Sequence, residues 1–526
     1  MPSVLSIIGQ PFIPGWAELR PFVAEAWLIG TMIAVLLAPF FTRRVNLVSP
    51  IIALAGLALG LLSMVLVGNG DAIIGEHFRG LLFIDGAAIV WKVLLFIFTG
   101  GVVLMWYATI ADQMREGDAA EFLLLLLGAT LGMSLMASSG NLLMIFMAVE
   151  LASLPSYVLA GFRKTNKLGA EASLKYVLFG AACSSMMAYA LSLLYGLYGT
   201  LQISDIATAM AAGGTVPALA AVALLGVLVG IGFKIAAVPF HFWCPDVFQG
   251  AHVDVSLFLS AASKGAGLLL LLRVAHTFGD AYGYSPASSM LTTMAVVLSV
   301  LGIVTMTAGN TAALVQTNVK RLLAYSSIAH AGYMICAVAL LTKSSTAAAT
   351  YNPAALSTQS LLAYLAVYFL MNLGAFTVAG VVYRQTGSES IPDYAGLGRR
   401  SPLLAVCMAV FMVSLIGIPP LAGFWAKVNI MTALIGNGGW WWTSAAAIGI
   451  NTIVSMYFYL RVVKVMYLDE SPLPKLRFAP LGTAIAGVCA GLLFVLFIGW
   501  GLVISGAERF GDLQTAKPQA TVLVTR

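Results

Sequence analysis

Titratable side chains interrupt the long apolar stretches of this sequence at seven positions: Glu150, Lys175, Lys234, His241, Lys264, His330 and Lys427. Charge is costly at the centre of a bilayer, so such residues usually face the protein interior and mark ion or proton paths. Burial disfavours the charged form of an amine or a carboxyl group, which brings proton exchange into the physiological pH range. These side chains are therefore candidates for proton transfer within a membrane.

Glu150, in IFMAVELASLPSYVLAGF, has two interpretations. Either it forms an ion pair that fixes helix packing, or its charge tunes a neighbouring lysine. While a cation lies beside the carboxylate both groups stay ionised, and when the cation moves away the lysine can release a proton. Lys175, in EASLKYVLFGA, is predicted to be the cation that alternately approaches and leaves Glu150, although it also fits a place nearer the cytoplasmic face.

Two further residues suit a proton relay. Lys264, in LSAASKGAG, is flanked by Ser and Gly, which are predicted to leave room for water. His330, in LLAYSSIAHAGYM, is either a relay histidine or a structural histidine bonded to a backbone carbonyl. His241 is placed at the membrane interface, near a channel mouth. Three more charges are interpreted as interfacial or packing charges: Asp85, Lys92 and Arg273.

The composition indicates a membrane protein. Of 526 residues, 60% are hydrophobic and 9% are charged, whereas soluble proteins carry about 25% charged residues. Only helices and closed barrels span a membrane, and apolar runs of about 20 residues recur along this chain. The predicted fold class is an all-α integral membrane protein. No basic segment precedes the first apolar run, so no cleavable signal peptide is predicted.

Several kinds of site are excluded by the motifs. The five cysteines are scattered without a CxxC pair, which argues against iron–sulfur and zinc sites, and no metal site is predicted. The sequence has no P-loop and no GxGxxG between a strand and a helix, so no nucleotide site is expected. The net charge of +6 lies largely in short loops and does not indicate nucleic-acid binding.

We predict about fourteen spans: 23–41, 48–68, 80–107, 121–138, 140–162, 171–199, 216–241, 253–277, 288–316, 322–342, 359–384, 402–434, 441–467 and 478–504. Loops after odd-numbered spans hold most of the Lys and Arg and should be cytoplasmic. Both termini are then predicted on the periplasmic face, as an even number of spans requires. The loop cations are Arg43, Arg44, Arg115, Arg163, Lys164, Lys167, Lys320, Arg321, Arg384, Arg399, Arg400, Lys464, Lys475 and Arg477.

Two spans contain helix breakers close to a buried lysine. Lys234 lies in the first of them, 216–241, and Lys427 lies in the second, 402–434. Interrupted helices at corresponding positions of two halves point to a transport site in transporters with inverted repeats. The alternative is that these residues only kink the helices for packing. The breaking residues are Gly232 and Pro239 in the first span, and Pro419, Pro420 and Gly423 in the second.

The spacing of the breaks predicts two five-helix units, 121–277 and 288–467. The broken helix is the fourth span of each unit, and an odd number of spans places the two units in opposite orientations. A three-helix segment, 1–120, precedes them, and a last helix with a short tail, 478–526, follows. Glu150 and His330 then lie in the second span of their respective units.

Three stretches resemble the antiporter-like proton-channel subunits of respiratory complex I, a family shared with multisubunit Na+/H+ antiporters. They are GFKIAAVPFHFWCPDVFQGA, VKRLLAYSSIAHAGYM and GIPPLAGFWAKV. The resemblance covers roughly residues 75–470 and implies a membrane subunit of a redox-driven proton pump. By that resemblance Glu150, Lys175, Lys234, Lys264 and Lys427 match the family's intramembrane acid and lysines.

One departure from the family pattern is visible. Many members have Pro-Thr-Pro after FQGA, where this chain has His252, Val253 and Asp254. The departure puts the local loop shape in doubt rather than the mechanism. His252 and Asp254 could form a pH-sensitive pair near a channel mouth, or they reflect variation within the lineage.

The predicted function is proton translocation in the bacterial inner membrane, coupled to quinone reduction on other subunits of an NADH-quinone oxidoreductase. The resemblance implies no cofactor on this chain; flavin, iron–sulfur clusters and quinone are expected on partner subunits. The predicted partners are other membrane subunits and lipid, with no nucleic acid. The alternatives are a subunit of a multisubunit cation/proton antiporter or membrane-bound hydrogenase, and a structural membrane anchor.

Overall fold

The computed structural model describes residues 15, 19–67, 74–110, 117–163, 166–213, 217–343, 352–471 and 474–510. Within these ranges the chain is helical apart from connecting loops and one antiparallel hairpin of strands β1 (Gly75–His77) and β2 (Leu82–Ile84). The prediction of an all-α membrane protein is confirmed. Two of the predicted loop cations, Arg115 and Lys164, lie outside the described residues.

A short 3-10 turn (Arg20–Phe22) opens the helical part of the chain. The helices of the first half are α1 (Val23–Phe41), α2 (Val45–Val67), α3 (Gly86–Thr109), α4 (Asp118–Ala137), α5 (Leu142–Ala160), α6 (Lys167–Tyr198), α7 (Ile203–Ala212), α8 (Ala218–Ile235), α9 (Trp243–Gly250), α10 (Val253–Phe258) and α11 (Lys264–Ala281). A π-helical turn (Leu259–Ser263) joins the last two into one continuous span.

The helices of the second half are α12 (Ser289–Ala313), α13 (Val319–Val338), α14 (Pro353–Thr386), α15 (Leu397–Arg400), α16 (Pro402–Ile416), α17 (Ala422–Asn437), α18 (Trp441–Leu468), α19 (Pro480–Ile498) and α20 (Trp500–Phe510). A 3-10 turn (Ile391–Tyr394) precedes α15. Helix α14 runs for 34 residues and packs against α13, α16, α17 and α19, so it is a central support of this half.

Twelve helices in the described ranges are long and apolar enough to cross a membrane. Each of the fourteen predicted spans coincides with a helix or with the two parts of a broken one. The two that fall outside the twelve are α13, which carries polar and charged residues, and the pair α16 and α17, which are individually short. The hairpin and the short helices α7, α9 and α20 were not predicted, because their apolar runs are too short to resemble spans.

Hydrogen bonds join loops that the charge pattern assigns to the same side. On the predicted periplasmic side, Phe83 N donates to Ser138 O at 2.7 Å, and Lys343 N donates to Tyr284 O at 3.0 Å. On the predicted cytoplasmic side, Lys320 Nζ donates to the carbonyl of Ala251 at 2.6 Å. A miscounted span in the middle would have placed such partners on opposite faces, so these bonds agree with the predicted alternation.

Two parts of the chain repeat the same local pattern. Helices α5 and α13 both begin after an asparagine, Asn141 or Asn318, whose side chain caps the first turn. Helices α6 and α14 both end at a left-handed glycine, Gly199 or Gly387. The same backbone bonds follow in each part: Leu142 N to Leu201 O and Ile203 N to Gly140 O in the first, Val319 N to Glu389 O and Ile391 N to Thr317 O in the second.

Glycines bring several helices into close contact. A Cβ on Gly309 of α12 would lie 2.7 Å from the backbone nitrogen of Ala329, and one on Gly332 of α13 would lie 2.5 Å from that of Met306. Small residues allow this approach, and van der Waals packing then drives helix association in lipid. Helix α4 meets α5 in the same way, since a Cβ on Gly132 would lie 2.3 Å from Ala152 N.

The substitution Gly132→Ala is expected to destabilise the α4–α5 contact by about 1–3 kcal/mol, because the added methyl group meets backbone that cannot yield. The measurement is the thermal midpoint of the purified chain or complex in detergent. Gly491→Ala, on α19, is the matched control, since a Cβ added there would meet no atom within 4 Å. Equal melting of the two variants would contradict the contact.

Candidate functional site

The first broken helix presents Lys234 at the end of α8. The helix stops at Ile235 because Ala236 adopts a left-handed conformation with φ of 61°, which is rare for a residue with a Cβ. The carbonyl of Phe233 accepts from Ala236 N at 3.0 Å and from the indole nitrogen of Trp243, on α9, at 3.1 Å. The break is therefore a defined turn with satisfied backbone groups, as irregular backbone at membrane depth requires.

Lys234 is fully buried and donates from Nζ to the hydroxyl of Ser153 at 3.1 Å. Ser153 in turn donates to the Val149 carbonyl at 2.6 Å, so its hydroxyl is oriented by its own helix, α5. Glu150 precedes Ser153 by three residues and therefore lies on the same side of α5, one turn away. The lysine is thus held by a neutral hydroxyl, within electrostatic range of the carboxylate.

Glu150 itself makes no ion pair within 4 Å among the described residues, and its buried Oε1 has no hydrogen-bond partner there. The side chain is half-buried at the edge of an outward face of α5 that carries Met147, Leu151 and Leu154, each at least 37% exposed. The ion pair that one interpretation of Glu150 called for is therefore absent from this conformation among the described residues.

Lys175 lies apart from Glu150. Its ammonium pairs with Glu171 at 2.8 Å and with Asp246 at 2.7 Å, and its side chain is 38% exposed. Arg321 of α13 binds the other oxygen of Asp246 at 2.6 Å, so this carboxylate links α6, α9 and α13. Of the two predicted positions for Lys175, the structure supports the one near the cytoplasmic face and not the alternating partnership with Glu150.

Lys264 is buried where the π-helical turn passes into α11. Its ammonium donates to the hydroxyl of Ser327 on α13 and lies 3.6 Å from the Cys244 sulfur. The neighbouring glycines do not provide the predicted space for water: a Cβ on Gly265 would lie 2.4 Å from the Trp91 ring. That part of the prediction was wrong, because these glycines allow close helix packing.

His330 is surrounded by tyrosines. The hydroxyl of Tyr364 lies 2.7 Å from its Nδ1 and that of Tyr459 lies 3.4 Å from its Nε2. The ring also stacks on Tyr368 with centroids 5.1 Å apart. Both ring nitrogens therefore have hydroxyl neighbours, whereas the structural alternative called for a backbone carbonyl. Hydroxyls can donate or accept, so either tautomer can be satisfied.

Lys427 is held by the second helix break. Helix α16 ends at Ile416, and the ammonium of Lys427 bonds the freed carbonyls of Leu415 at 3.1 Å and Ile416 at 2.9 Å. These carbonyls form the negative end of the helix dipole, which stabilises a cation. The close approach depends on Gly423, where a Cβ would lie 1.9 Å from Ser414 O. The break supplies the ligands that the buried lysine needs.

Buried polar side chains follow one another along one side of α13, about one helical turn apart. Ser327, which contacts Lys264, is three residues before His330, and His330 is three residues before Tyr333. The ring of Tyr333 lies 5.5 Å from that of His330 and 4.8 Å from Lys427 Nζ. Lys264 lies 11 residues after Val253, the start of its span, and His330 lies 11 residues after Val319, the start of α13. Each is therefore about 16 Å along its span. That is about half of the hydrocarbon thickness.

A polar cavity of about 620 Å³ opens beside the predicted cytoplasmic ends of α5, α13 and α14. Its lining includes His252 and Asp254, whose side chains contact each other, and the ion pair of Lys320 with Glu389 at 2.7 Å. Burial, together with the charges of Arg163 and Lys320, holds the pKa of His252 well below its usual range. The imidazole is therefore neutral near pH 7.

His241 lies elsewhere, in the turn of the first break beside Phe242, whose ring centroid is 4.5 Å away. Phe242 is 62% exposed, so this edge of the turn faces outward. His241 does not line the polar cavity. Of the three predicted mouth residues, the structure brings His252 and Asp254 together and leaves His241 apart.

Several residues of this arrangement were missed in the sequence. Ser153 and Ser327 carry no recognisable signal of their own, although their i+3 spacing to Glu150 and His330 could have marked them. Glu25 of α1 is fully buried and pairs with Lys92 at 2.7 Å, and Ser134 donates to it at 2.7 Å. A second buried pair joins Arg273 to Asp85 at 2.9 Å. The predicted packing charges are thus buried ion pairs.

No group of three or more His, Cys, Asp or Glu side chains that could hold a metal ion occurs in the described part of the chain. All five cysteines are buried and free of disulfides. The ionisable groups that converge are instead lysines, one histidine and one acid, separated by hydroxyl groups. This set is suited to passing protons.

Comparison with known proteins identifies relatives along most of the chain. The profile described as "NADH:quinone oxidoreductase/Mrp antiporter, TM" matches residues 139–453, more than half of the chain. "NADH-quinone oxidoreductase subunit N 2" of Sorangium cellulosum is 37% identical over 516 residues, covering 94% of this chain and 97% of its own length. "NADH-quinone oxidoreductase subunit N" of an Anaeromyxobacter species is 40% identical over 485 residues, covering 87% and 89%.

One solved structure, respiratory complex I of Thermus thermophilus with bound aureothin, contains a chain that is 33% identical. The match has a TM-score of 0.74 and covers 93% of this chain and 100% of the other. The two broken helices, the buried lysines and these matches lead to one conclusion: the chain belongs to the NADH:quinone oxidoreductase/Mrp antiporter transmembrane family.

Proposed function

We propose that this chain is a proton-translocating membrane subunit of an NADH-quinone oxidoreductase, of the subunit N type that its relatives' names give. The observation that carries the proposal is the succession of buried polar groups from Lys234 to Lys427 within an apolar helical bundle. Electron transfer, with its flavin, iron–sulfur clusters and quinone, takes place on partner subunits. This chain provides a path for protons in the bacterial inner membrane, and both termini are periplasmic.

Two inverted five-helix units, 121–277 and 288–467, build this path in our proposal. Three observations support them: matching asparagine caps, matching glycine ends and matching backbone bonds between the loops. Helix packing also agrees, because α4 contacts α5, α5 contacts α6 and α6 contacts α8, as α12 contacts α13, α13 contacts α14 and α14 contacts α16. In this register Glu150 corresponds to Ser327, one turn from His330.

The proton enters from the cytoplasm through the polar cavity at the end of α13. Lys320 pairs with Glu389 there, and Arg163 and Asp254 also line the cavity. In the proposal, water in this polar cavity carries protons from the cytoplasm toward the buried lysines. His252 and Asp254 thereby modify the entrance of this chain relative to relatives with proline at these positions.

Lys234 is the first acceptor. Its ammonium is held by one neutral hydroxyl, that of Ser153, so its charge depends strongly on the carboxylate of Glu150, which lies one helical turn from Ser153. In the mechanism, a change at the quinone-reducing module moves a charged group of a partner subunit relative to Glu150, which lies at an outward edge of α5. When the carboxylate of Glu150 no longer compensates the ammonium of Lys234, Lys234 releases its proton, because an uncompensated buried ammonium is unfavourable.

The proton then passes to Lys264, through the Ser327 hydroxyl to His330, and on to Lys427. Gly267 of α11 packs against Ile235, so the helices that carry the first two lysines are in contact. In this proposal hydroxyl groups and water connect the ionisable side chains along the route. Lys427 delivers the proton toward the periplasm when its contacts with the α16 carbonyls are exchanged.

The alternatives receive less support. A subunit of a multisubunit antiporter or of a membrane-bound hydrogenase shares the fold, yet the relatives at 37% and 40% identity bear the name of the quinone oxidoreductase subunit. A structural anchor needs no succession of buried lysines, and the N-terminal ion pairs already show how this chain fixes its packing. The following two experiments separate the pump from the anchor.

Lys234→Ala in the assembled complex is expected to lower quinone-reductase turnover and proton pumping at least about tenfold, because the first acceptor is lost. Complex assembly should stay normal. Lys167→Ala, which removes an exposed cation at the start of α6, is the matched control and should leave both rates unchanged. Loss of assembly with normal specific activity in the remaining complex would show that Lys234 is structural.

His330→Gln is expected to reduce pumping by a similar factor, because glutamine can form hydrogen bonds but cannot take up a proton. Tyr364→Phe should cost less than about threefold, since it removes one hydroxyl neighbour and leaves Tyr459 beside the ring. Proton uptake by reconstituted vesicles, measured per NADH oxidised, compares the two variants. Full pumping by the glutamine variant would exclude His330 from the path.

A further inference from the structure

A second large cavity, of about 800 Å³, lies at the predicted cytoplasmic ends of α14, α16 and α19, and it borders the entrance cavity at Ser388. Its lining is strongly basic. Four cationic side chains contribute to it, with Asp393 as the one acidic lining residue. The cationic residues are Arg384, Arg400, Lys475 and Arg477. The proposed proton transfer uses none of them.

Two of these cations form a fixed wall. Arg400 donates from Nε to the carbonyl of Pro474 at 3.1 Å and from Nη1 to that of Asp393 at 3.0 Å. Arg384 donates from Nη1 to the carbonyl of Ala108 at 2.6 Å. A guanidinium has five N–H donors in a rigid plane, so bonds to carbonyls fix its orientation. These bonds therefore hold the two guanidinium groups in defined positions at the cavity.

The other two cations are presented to solvent. Lys475 and Arg477 are exposed, and neither forms an ion pair with a residue in the described ranges. Helices α16 and α19 also begin beside the cavity, and neither first turn is capped by a side chain. The positive ends of two helix dipoles therefore add to the four side-chain charges.

The cavity also adjoins surface that is suited to lipid chains. Phe478, in its lining, is 77% exposed. Below it, α16 and α19 pack together and present outward apolar side chains, among them Leu403 at 55% exposure and Val488 at 62%. Charge at the end of membrane helices next to exposed apolar surface distinguishes this place from an ordinary basic loop.

We propose that this cavity binds the headgroup of an anionic phospholipid, with its acyl chains lying along the outer surfaces of α16 and α19. Basic pockets between membrane helices on the cytoplasmic side provide this kind of recognition. A free phosphate ion would use the charges alone, whereas a phospholipid uses both the charges and the apolar flank. The occupant is therefore a lipid of the cytoplasmic leaflet.

The test uses the purified assembled complex in mild detergent with a photoreactive phosphatidylglycerol and, in parallel, a photoreactive phosphatidylcholine. Phosphatidylglycerol is expected to label the segment from Pro474 to Pro480, and unlabelled phosphatidylglycerol should compete. The double variant Lys475→Gln, Arg477→Gln should weaken labelling by roughly 5- to 30-fold, as loss of two juxtamembrane charges predicts. Arg477→Lys retains the charge and should retain most of the labelling.

Lys167→Gln is the control, an exposed cation that does not line this cavity. The yield of assembled complex shows that the variants fold. Unchanged labelling of the double variant, or equal labelling by phosphatidylcholine, would overturn the proposal. Competition by inorganic phosphate as effective as that by phosphatidylglycerol would show a free-anion site instead. Absence of labelling in the native complex, as when an acidic partner segment fills the cavity, would also refute it.

Discussion

The bonding of a buried lysine to the carbonyls of a broken helix is the interaction on which the second half depends. A helix that ends inside a membrane leaves carbonyls without partners, and a lysine there needs acceptors. In the α16–α17 break each satisfies the other, since Lys427 binds the carbonyls of Leu415 and Ile416. The first break differs: the carbonyl of Phe233 accepts from Ala236 N and from the Trp243 indole, and Lys234 donates to Ser153 instead.

The chain handles its buried charges in two distinct ways. Glu25 pairs directly with Lys92 inside the N-terminal segment, and Asp85 of that segment pairs directly with Arg273 of α11, so the charges of each pair cancel. Along the proposed path, Lys234 and Lys264 meet hydroxyl groups and Lys427 meets carbonyls, so their charges are solvated but not neutralised. Removing one partner from a directly paired buried ion pair is strongly destabilising. Lysines held by neutral partners are freer to change protonation.

Much of the fold could be predicted because span length and loop charge are physical constraints on each segment alone. The broken helices and their lysines were found for the same reason, since glycine and proline act locally. Partners across helices could not be found in this way. Lys175 was matched with Glu150 but pairs with Asp246, 71 residues away, and the glycines beside Lys264 serve packing against Trp91. Such contacts depend on which helix faces meet, which single-segment patterns do not contain.

The glycine contacts between α12 and α13 have a mechanical consequence. At Gly309 and Gly332 the two backbones approach so closely that neither helix can slide or rotate without steric clash. Helix α13 carries Ser327, His330 and Tyr333, so these groups sit on a stiff support. A change in charge at one end of the path must then be transmitted by side-chain rotation and by the electric field. Helix α13 itself does not shift along its axis.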